Sequence, residues 1–381
     1  MGGYHSPWAD EETHQVGRLA RSFFERSVLP HTQRFGAQHR VDRETWTEAG
    51  RLGLLCPSIP QEYGGGGGTF AHEAAVLWEQ GRLADDCLPY AIHSTVVPHY
   101  VERYGSEEQK RRWLPALAAG TLVGAIAMSE PSGGSDLKRV RTVARREGDH
   151  YVISGAKSFV TNGSMAGLVL VVARTGEQGA HGLSIIGVEK EHATGLSHGG
   201  PLKKIGQHGQ DTRELFLDDV RVPVENLIGE SEGRGFAQLM AQLPQERLAI
   251  AVGAVAQAEY AVELAVRYAK ERTAFGGPLW DLQNTRLTLA DCATEVRIAR
   301  VFLDHCVARH LSGGLDAATA SQSKYHSTDL LSSVADRCLQ VFGGYGYVLE
   351  YPIARIYAGA RVQRIYGGAN EVMRELVARS M

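Results

Sequence analysis

Chemistry in this chain has to come from a few polar segments set among apolar ones. Pro244-Gln245-Glu246-Arg247-Leu248 puts a carboxylate at the head of the apolar run Leu248 to Lys270. A carboxylate can accept a proton from an activated carbon. In the first turn of a helix it is also favoured by the macrodipole as a plain solvated side chain. The segment Ala127-Met128-Ser129-Glu130-Pro131-Ser132-Gly133-Gly134-Ser135-Asp136 follows the strand-like Val123 to Ile126. Its consecutive small residues expose backbone N–H groups that can hold an anion such as a pyrophosphate. A long turn between strands reads the same way.

Common site templates fail on single positions. Gly133-Gly134-Ser135-Asp136-Leu137 has Leu137 where a nucleophile elbow closes on glycine. His72-Glu73 opens a zincin motif, but Val76 stands where the second histidine belongs, so no metal site is expected. Gly344-Tyr345-Gly346 starts a dinucleotide fingerprint that ends at Leu349 with no strand before it. The five glycines Gly64 to Gly68 are followed by Thr69-Phe70-Ala71 instead of the Gly-Lys-Ser/Thr of a phosphate loop. They read as a mobile connector.

Elements of three kinds must position these segments. Residues 1–122 carry helical periodicity, with Leu19, Phe23, Phe24 and Val28 and then Ala74, Ala75, Leu77 and Trp78 recurring at three and four. Residues 123–232 switch to short β-branched runs (Tyr151 to Ser154, Leu168 to Ala173, Leu183 to Val188, Glu214 to Leu217) separated by turn residues, which predicts a small antiparallel sheet or barrel. Residues 233–381 are helical again over Leu248 to Lys270, Leu279 to Leu311, Ala317 to Phe342 and Asn370 to Ser380, and read as a bundle. The expected fold class is α+β, with helices, sheet and helices in that order.

Composition narrows the function classes. A chain of 381 residues with 43% hydrophobic and 22% charged residues is globular and long enough for two or three domains. Its net charge of −3, with Lys and Arg dispersed, gives no basic footprint for nucleic acid. The apolar maximum Leu248 to Ala256 is cut short by Gln257, Glu259 and Glu263, so no membrane span is expected. Asp10, Glu11 and Glu12 close behind Met1 do not read as a signal peptide, and the expectation is a cytoplasmic protein. Met1, Gly2 and Ser6 fit the loose myristoylation pattern without a polybasic second anchor. Five scattered cysteines with no CxxC read as packing residues.

Several segments together resemble the acyl-CoA dehydrogenase family. Ala127 to Asp136 resembles its Thr/Ser-Glu-Pro-x-Ala/Gly-Gly-Ser-Asp motif, and Lys157-Ser158-Phe159-Val160-Thr161-Asn162-Gly163 its Lys-x-Trp-Ile-Thr-Asn strand. Glu271-Arg272-Thr273-Ala274-Phe275-Gly276-Gly277-Pro278-Leu279 resembles the family's Arg-x-x-Phe-Gly-x-x-Leu segment, with Gln283 after it. Gln340-Val341-Phe342-Gly343-Gly344-Tyr345-Gly346 resembles its Gln-x-x-Gly-Gly-x-Gly loop, and Ile365-Tyr366-Gly367-Gly368-Ala369-Asn370-Glu371 its C-terminal loop. The long-chain branch is the closest in motif.

The resemblance implies an N-terminal α-helical domain, a central β-domain and a C-terminal four-helix bundle, assembled as a homotetramer with FAD between domains. By position, Met128 and Ser129 would meet the flavin's pyrimidine edge, Thr161 would approach N5, and Phe159 would lie on the ring where many members have Trp. Ser135 would reach toward the phosphate or pantetheine region. Arg272, Phe275 and Gln283 would serve the neighbouring subunit's FAD, Gln340, Gly343 and Gly344 its adenine and pyrophosphate end, and Ala369 and Glu371 would complete the cofactor contacts. Ala369 replaces a frequent Thr, Gly359 a usual Asp, and Arg139 a usual small residue.

The implied reaction is dehydrogenation of an acyl-CoA, or acyl-carrier thioester, to a trans-2-enoyl thioester, with an electron-transferring flavoprotein as acceptor. Many members carry the base directly after the Ile-Tyr of the C-terminal loop, where this chain has Gly367. Glu246 on the long helix is the family's other placement, so the resemblance makes Glu246 the base and leaves Gly367 to supply its N–H to the thioester oxygen. Arg247 and Tyr366 would face substrate. Tyr90, His93 and Val97, spaced by three and four, are expected as an acyl-pocket wall or, equally, as core. An oxidase, a carrier-protein dehydrogenase and a non-catalytic flavin-binding interaction protein are the alternative readings.

Overall fold

The computed structural model describes residues 4–177 and 179–381; Met1 and Gly2 of the myristoylation pattern lie outside them. The first six helices are α1 (Glu11–Phe23), α2 (Thr32–Gln38), α3 (Arg43–Arg51), α4 (Phe70–Arg82), α5 (Val97–Tyr104) and α6 (Glu107–Ala118). Helices α1, α4 and α6 start at side chains that accept free N–H groups of the first turn. Asp10 Oδ1 takes Thr13 N–H at 2.9 Å before α1, and Ser106 Oγ takes Gln109 N–H at 3.2 Å before α6.

The central sheet comprises β1 (Gly124–Ala127), β2 (Val143–Glu147), β3 (His150–Thr161), β4 (Leu168–Arg174), β5 (Leu183–Glu189), β6 (Leu196–His198) and β7 (Thr212–Pro223). Its order is β1-β4-β2-β3-β7-β6, with β5 on β4. The expected antiparallel arrangement needs a correction, because β1 runs parallel to β4 and β2 touches β4 in parallel at Val143 and Arg174. The other pairings are antiparallel. Alternate residues of β4 divide between two cores. Leu168, Leu170 and Val172 face the helices, whereas Val169, Val171 and Ala173 face the interior of the sheet domain. Burial on both faces explains why this strand reads as a continuous apolar run.

The C-terminal block holds α7 (Gly235–Glu271), a two-stranded hairpin of β8 (Thr273–Ala274) and β9 (Gly277–Pro278), α8 (Gln283–Leu311), α9 (Ala317–Phe342), α10 (Pro352–Gln363) and α11 (Asn370–Ala378). Helix α10 escaped the sequence reading; Pro352 at its first turn is a helix opener that resembles a breaker. Helix α7 begins at Gly235 and runs through Pro244, so Glu246 stands about three turns inside it and not in its first turn. By length and composition alone α7 would suffice to cross a bilayer, contrary to the sequence reading. Within this fold its apolar side, Val252, Val255, Ala258 and Val262 among others, is buried against neighbouring helices, as in a core helix.

The glycine run is not the mobile connector its composition suggests. The N–H groups of Gly64, Gly65, Gly66, Gly67 and Gly68 all donate to carbonyls of residues 56–61, at 2.8 to 3.2 Å. A Cβ at Gly65 would lie 2.2 Å from the Ile59 carbonyl oxygen, and one at Gly66 2.6 Å from that of Pro57. Glycines are required here because backbone packs directly on backbone. Gly65→Ala is therefore expected to cost about 1–3 kcal/mol of stability, seen as a lowered unfolding midpoint in thermal or urea denaturation. A midpoint equal to the parent's would mean the loop is loose after all.

Candidate active site

One half of the site is built on β1 and β3. Where β1 ends, Met128 and Ser129 are half-buried and Glu130 is buried. The Lys157 ammonium, fully buried on β3, donates to Glu130 Oε1 at 2.9 Å and to the Met128 carbonyl at 3.2 Å. Glu130 also accepts the N–H groups of Arg141 at 2.7 Å and Thr142 at 2.9 Å. Burial works to raise the Glu130 carboxyl, but Lys157 and these donors overcome it and hold it at about 2. Burial draws Lys157 down to about 8 against the pull of Glu130. Ser158 N–H donates to the Ser129 carbonyl at 2.9 Å, so the loop and the strand are fastened together.

This fastening controls which side chain β3 shows. The strand slips register against β7 between Lys157 and Val160, and Phe159 adopts a left-handed φ of +56°. Such an interruption re-aims side chains. Lys157, Ser158 and Val160 turn inward, while Phe159 is 72% exposed. Thr161 follows, half-buried, and Asn162 closes the strand by donating to the Gly124 carbonyl at 3.0 Å. Ser135 stands exposed on the outer part of the loop.

The second half lies between α7 and the turn before α11. Glu246 is half-buried, and the fully buried Tyr100 of α5 donates its hydroxyl to Glu246 Oε1 at 2.8 Å. Burial pushes the Glu246 carboxyl up to about 7, against the Tyr100 hydrogen bond and the charges of Arg247 and His99. Gly367 has φ +65°, and a Cβ there would lie 2.3 Å from Ile250 Cδ1, one helical turn beyond Glu246. The turn therefore rests on the face of α7 that carries Glu246, and a side chain at 367 would be strained as well as crowded. The Gly368 carbonyl accepts from Lys324 Nζ at 2.8 Å, and Arg247 donates to Ser321 Oγ at 3.3 Å. Tyr366 is 39% exposed, Ala369 half-buried and Glu371 exposed.

A third group gathers at the far end of α7. Arg272 lies with its guanidinium 6.0 Å from the Tyr345 ring centre, which joins the β8–β9 hairpin to the loop carrying Gly343 and Gly344. Phe275 at the hairpin tip is 95% exposed, and Gln283 and Gln340 are exposed too. A Cβ at Gly343 or Gly344 would meet open space. Among the described residues no hydrogen bond or ring contact ties this group to Met128, Ser129, Phe159 or Thr161.

Tyr90, His93 and Val97 belong to the core and not to a pocket wall. All are at most 1% exposed. The Tyr90 hydroxyl donates to the Leu54 carbonyl at 2.9 Å. His93 Nδ1 accepts Gly124 N–H at 3.1 Å, which leaves Nε2 to donate to the Leu117 carbonyl at 3.0 Å. Burial lowers this imidazole to about 4, so it stays neutral. Sequence reading passed over Tyr100, His99 and Glu73. Glu73 was discarded with the broken zincin motif, yet its buried carboxylate meets His99 Nε2 at 2.7 Å from another helix. Asp85, Asp86 and Cys87 cluster after α4, but Asp85 accepts from Cys87 N–H, Leu88 N–H and Gln80, which closes a turn.

Residues 10–121, 125–220 and 233–381 match the N-terminal, middle and C-terminal domains of acyl-CoA dehydrogenase. The long-chain specific acyl-CoA dehydrogenase of Sus scrofa mitochondria is 44% identical over 95% of this chain and 84% of its own. An acyl-CoA dehydrogenase structure from Geobacillus kaustophilus is 38% identical, with a TM-score of 0.96 over 99% of both chains. A Mycobacterium smegmatis glutaryl-CoA dehydrogenase solved in complex with FADH2 is 26% identical, with a TM-score of 0.91 over 98% of this chain and 95% of that one. With all three domains matched in order and the fold shared over nearly its full length, the chain belongs to the acyl-CoA dehydrogenase family, oxidoreductases acting on CH–CH bonds.

Proposed function

We propose that this protein binds FAD and dehydrogenates acyl-CoA thioesters to trans-2-enoyl thioesters, with Glu246 as the base. The observation that carries this reading is a carboxylate raised to about 7 and gripped by Tyr100 beneath a turn that has glycine at 367. A base is most effective when its pKa lies near the working pH. Glu246 removes the α-proton through its free oxygen, and Gly367 N–H donates to the thioester oxygen as negative charge gathers there. Arg247 and Tyr366 flank the acyl group.

The residues present fit the flavin. Phe159 offers an exposed aromatic face beside the small, half-buried Met128–Ser129 corner, and Thr161 follows on the same strand. Ser135, Arg272, Phe275, Gln283, Gln340, Gly343, Gly344, Ala369 and Glu371 are assigned to holding the cofactor, Arg272 with Phe275 and Gln283 across a subunit contact. When bound, FAD supplies the acceptor for the β-hydride. The complex of the Mycobacterium smegmatis relative with FADH2 supports this assignment. Homotetrameric assembly, an electron-transferring flavoprotein as acceptor and a cytoplasmic location complete the proposal.

Anaerobic titration with acyl-CoAs of graded length tests the reaction: bleaching of the flavin absorbance by one length class is expected, and no bleaching by any of them contradicts it. Because the base must be ionised to accept a proton, kcat/KM should rise with pH through an apparent pKa of about 7; a profile flat from pH 5.5 to 8.5 would remove Glu246 from that role. Arg272→Ala should lower FAD content on dilution, since a phosphate would lose its guanidinium partner, and full retention of flavin would contradict the cross-subunit assignment.

A further inference from the structure

We propose that Tyr100 is the positioning residue of the base: its hydroxyl holds one oxygen of Glu246 and leaves the other free to take the proton. This rests on the proposed role of Glu246. Tyr100 meets Glu246 Oε1 at 2.8 Å, and among the described residues no hydrogen bond engages Oε2. Burial and the neighbouring Glu246 keep the phenol well above its ordinary pKa, so it stays a donor throughout. A donor of this kind favours the ionised carboxylate and fixes its plane.

The position of Tyr100 is built in by the chain before it. Ala91–Val96 forms a π-helical turn, closed by Val97 N–H donating to the Ile92 carbonyl. One extra residue in a turn rotates everything after it by roughly 100°, which carries His99 and Tyr100 round to their partners. Helix α7 receives this segment with three polar side chains spaced by three and four. Gln242 donates to the His99 carbonyl at 3.2 Å, Gln245 to the Thr95 carbonyl at 3.2 Å, and Glu246 accepts from Tyr100. Behind them His99 Nε2 lies 2.7 Å from the fully buried Glu73, which also receives the Ser58 hydroxyl. Burial opposes charge on His99, but Glu73 overcomes it and raises the imidazole. The charged groups around Glu246 are thus Arg247 on its own helix, His99 with Glu73 behind it, and Lys324 beyond Arg247. His310 is lowered by burial and lies against Gln245 at 3.2 Å.

The test compares FAD-replete parent, Tyr100→Phe and Glu246→Gln by stopped-flow flavin reduction with the best acyl-CoA across pH. Tyr100→Phe keeps the buried ring and removes only the donor. It should retain flavin, slow reduction about 10- to 100-fold at pH 7 and move the acid limb up by about one to two pH units, with KM little changed. Placing 3-fluorotyrosine at 100, a stronger donor of the same shape, should move the limb the other way. If Glu246→Gln is inactive while Tyr100→Phe and the fluorotyrosine protein keep the parent's acid limb and rate, Tyr100 has no positioning role. If Glu246→Gln reduces at the parent's rate, the base assignment fails and this proposal fails with it.

Discussion

The site depends on keeping a carboxylate out of water without pairing it to a cation. A buried carboxylate matched to an arginine would stay ionised but would be a weak base, because the pairing stabilises the charged form. Glu246 is partnered instead by a neutral phenol, with Arg247 beside it on the helix donating to Ser321. Desolvation then prevails, and the group titrates near 7. Everything around it serves that balance. The π-helical turn delivers Tyr100, the glutamines of α7 hold the segment in register, and the Gly367 turn sits on Ile250 one turn further on.

The opposite electrostatic solution appears in the sheet. Glu130 and Lys157 form a buried ion pair whose remaining lone pairs are met by backbone N–H groups, which makes burial of both charges tolerable. Here the carboxyl is driven down to about 2 and serves as an anchor with no basicity left. The pair joins the end of β1 to β3 and turns Phe159 outward. The buried Glu130 and the half-buried Glu246 therefore have opposite uses, set by whether the neighbouring donor is an ammonium or a phenol.

The sequence discloses what is periodic and local. Strands β3, β4, β5 and β7 and the long helices α8 and α9 follow from runs whose spacing matches their burial. The glycine run misleads because composition says nothing of the carbonyls that Gly64 to Gly68 meet. The position of Glu246 inside α7 was hidden by Pro244, which a pattern reading takes as a boundary although the helix continues through it. Tyr100 was illegible for a different reason. It lies 146 residues from Glu246, and no local pattern encodes a contact of that separation. Tyr90, His93 and Val97 share helical spacing and are all buried, and spacing alone does not tell a core face from a pocket wall.

Proton abstraction can be isolated from hydride transfer by using an acyl-CoA whose β-position carries a heteroatom and has no hydride to give. In D2O the FAD-replete parent is expected to exchange the α-proton of such an analogue for deuterium, read by mass spectrometry. Glu246→Gln is expected to exchange it slower by a factor of about 10² to 10⁴, the span for loss of a general base, while binding the analogue. Exchange by Glu246→Gln at the parent's rate would contradict the account, since the α-proton would then be leaving to some other group.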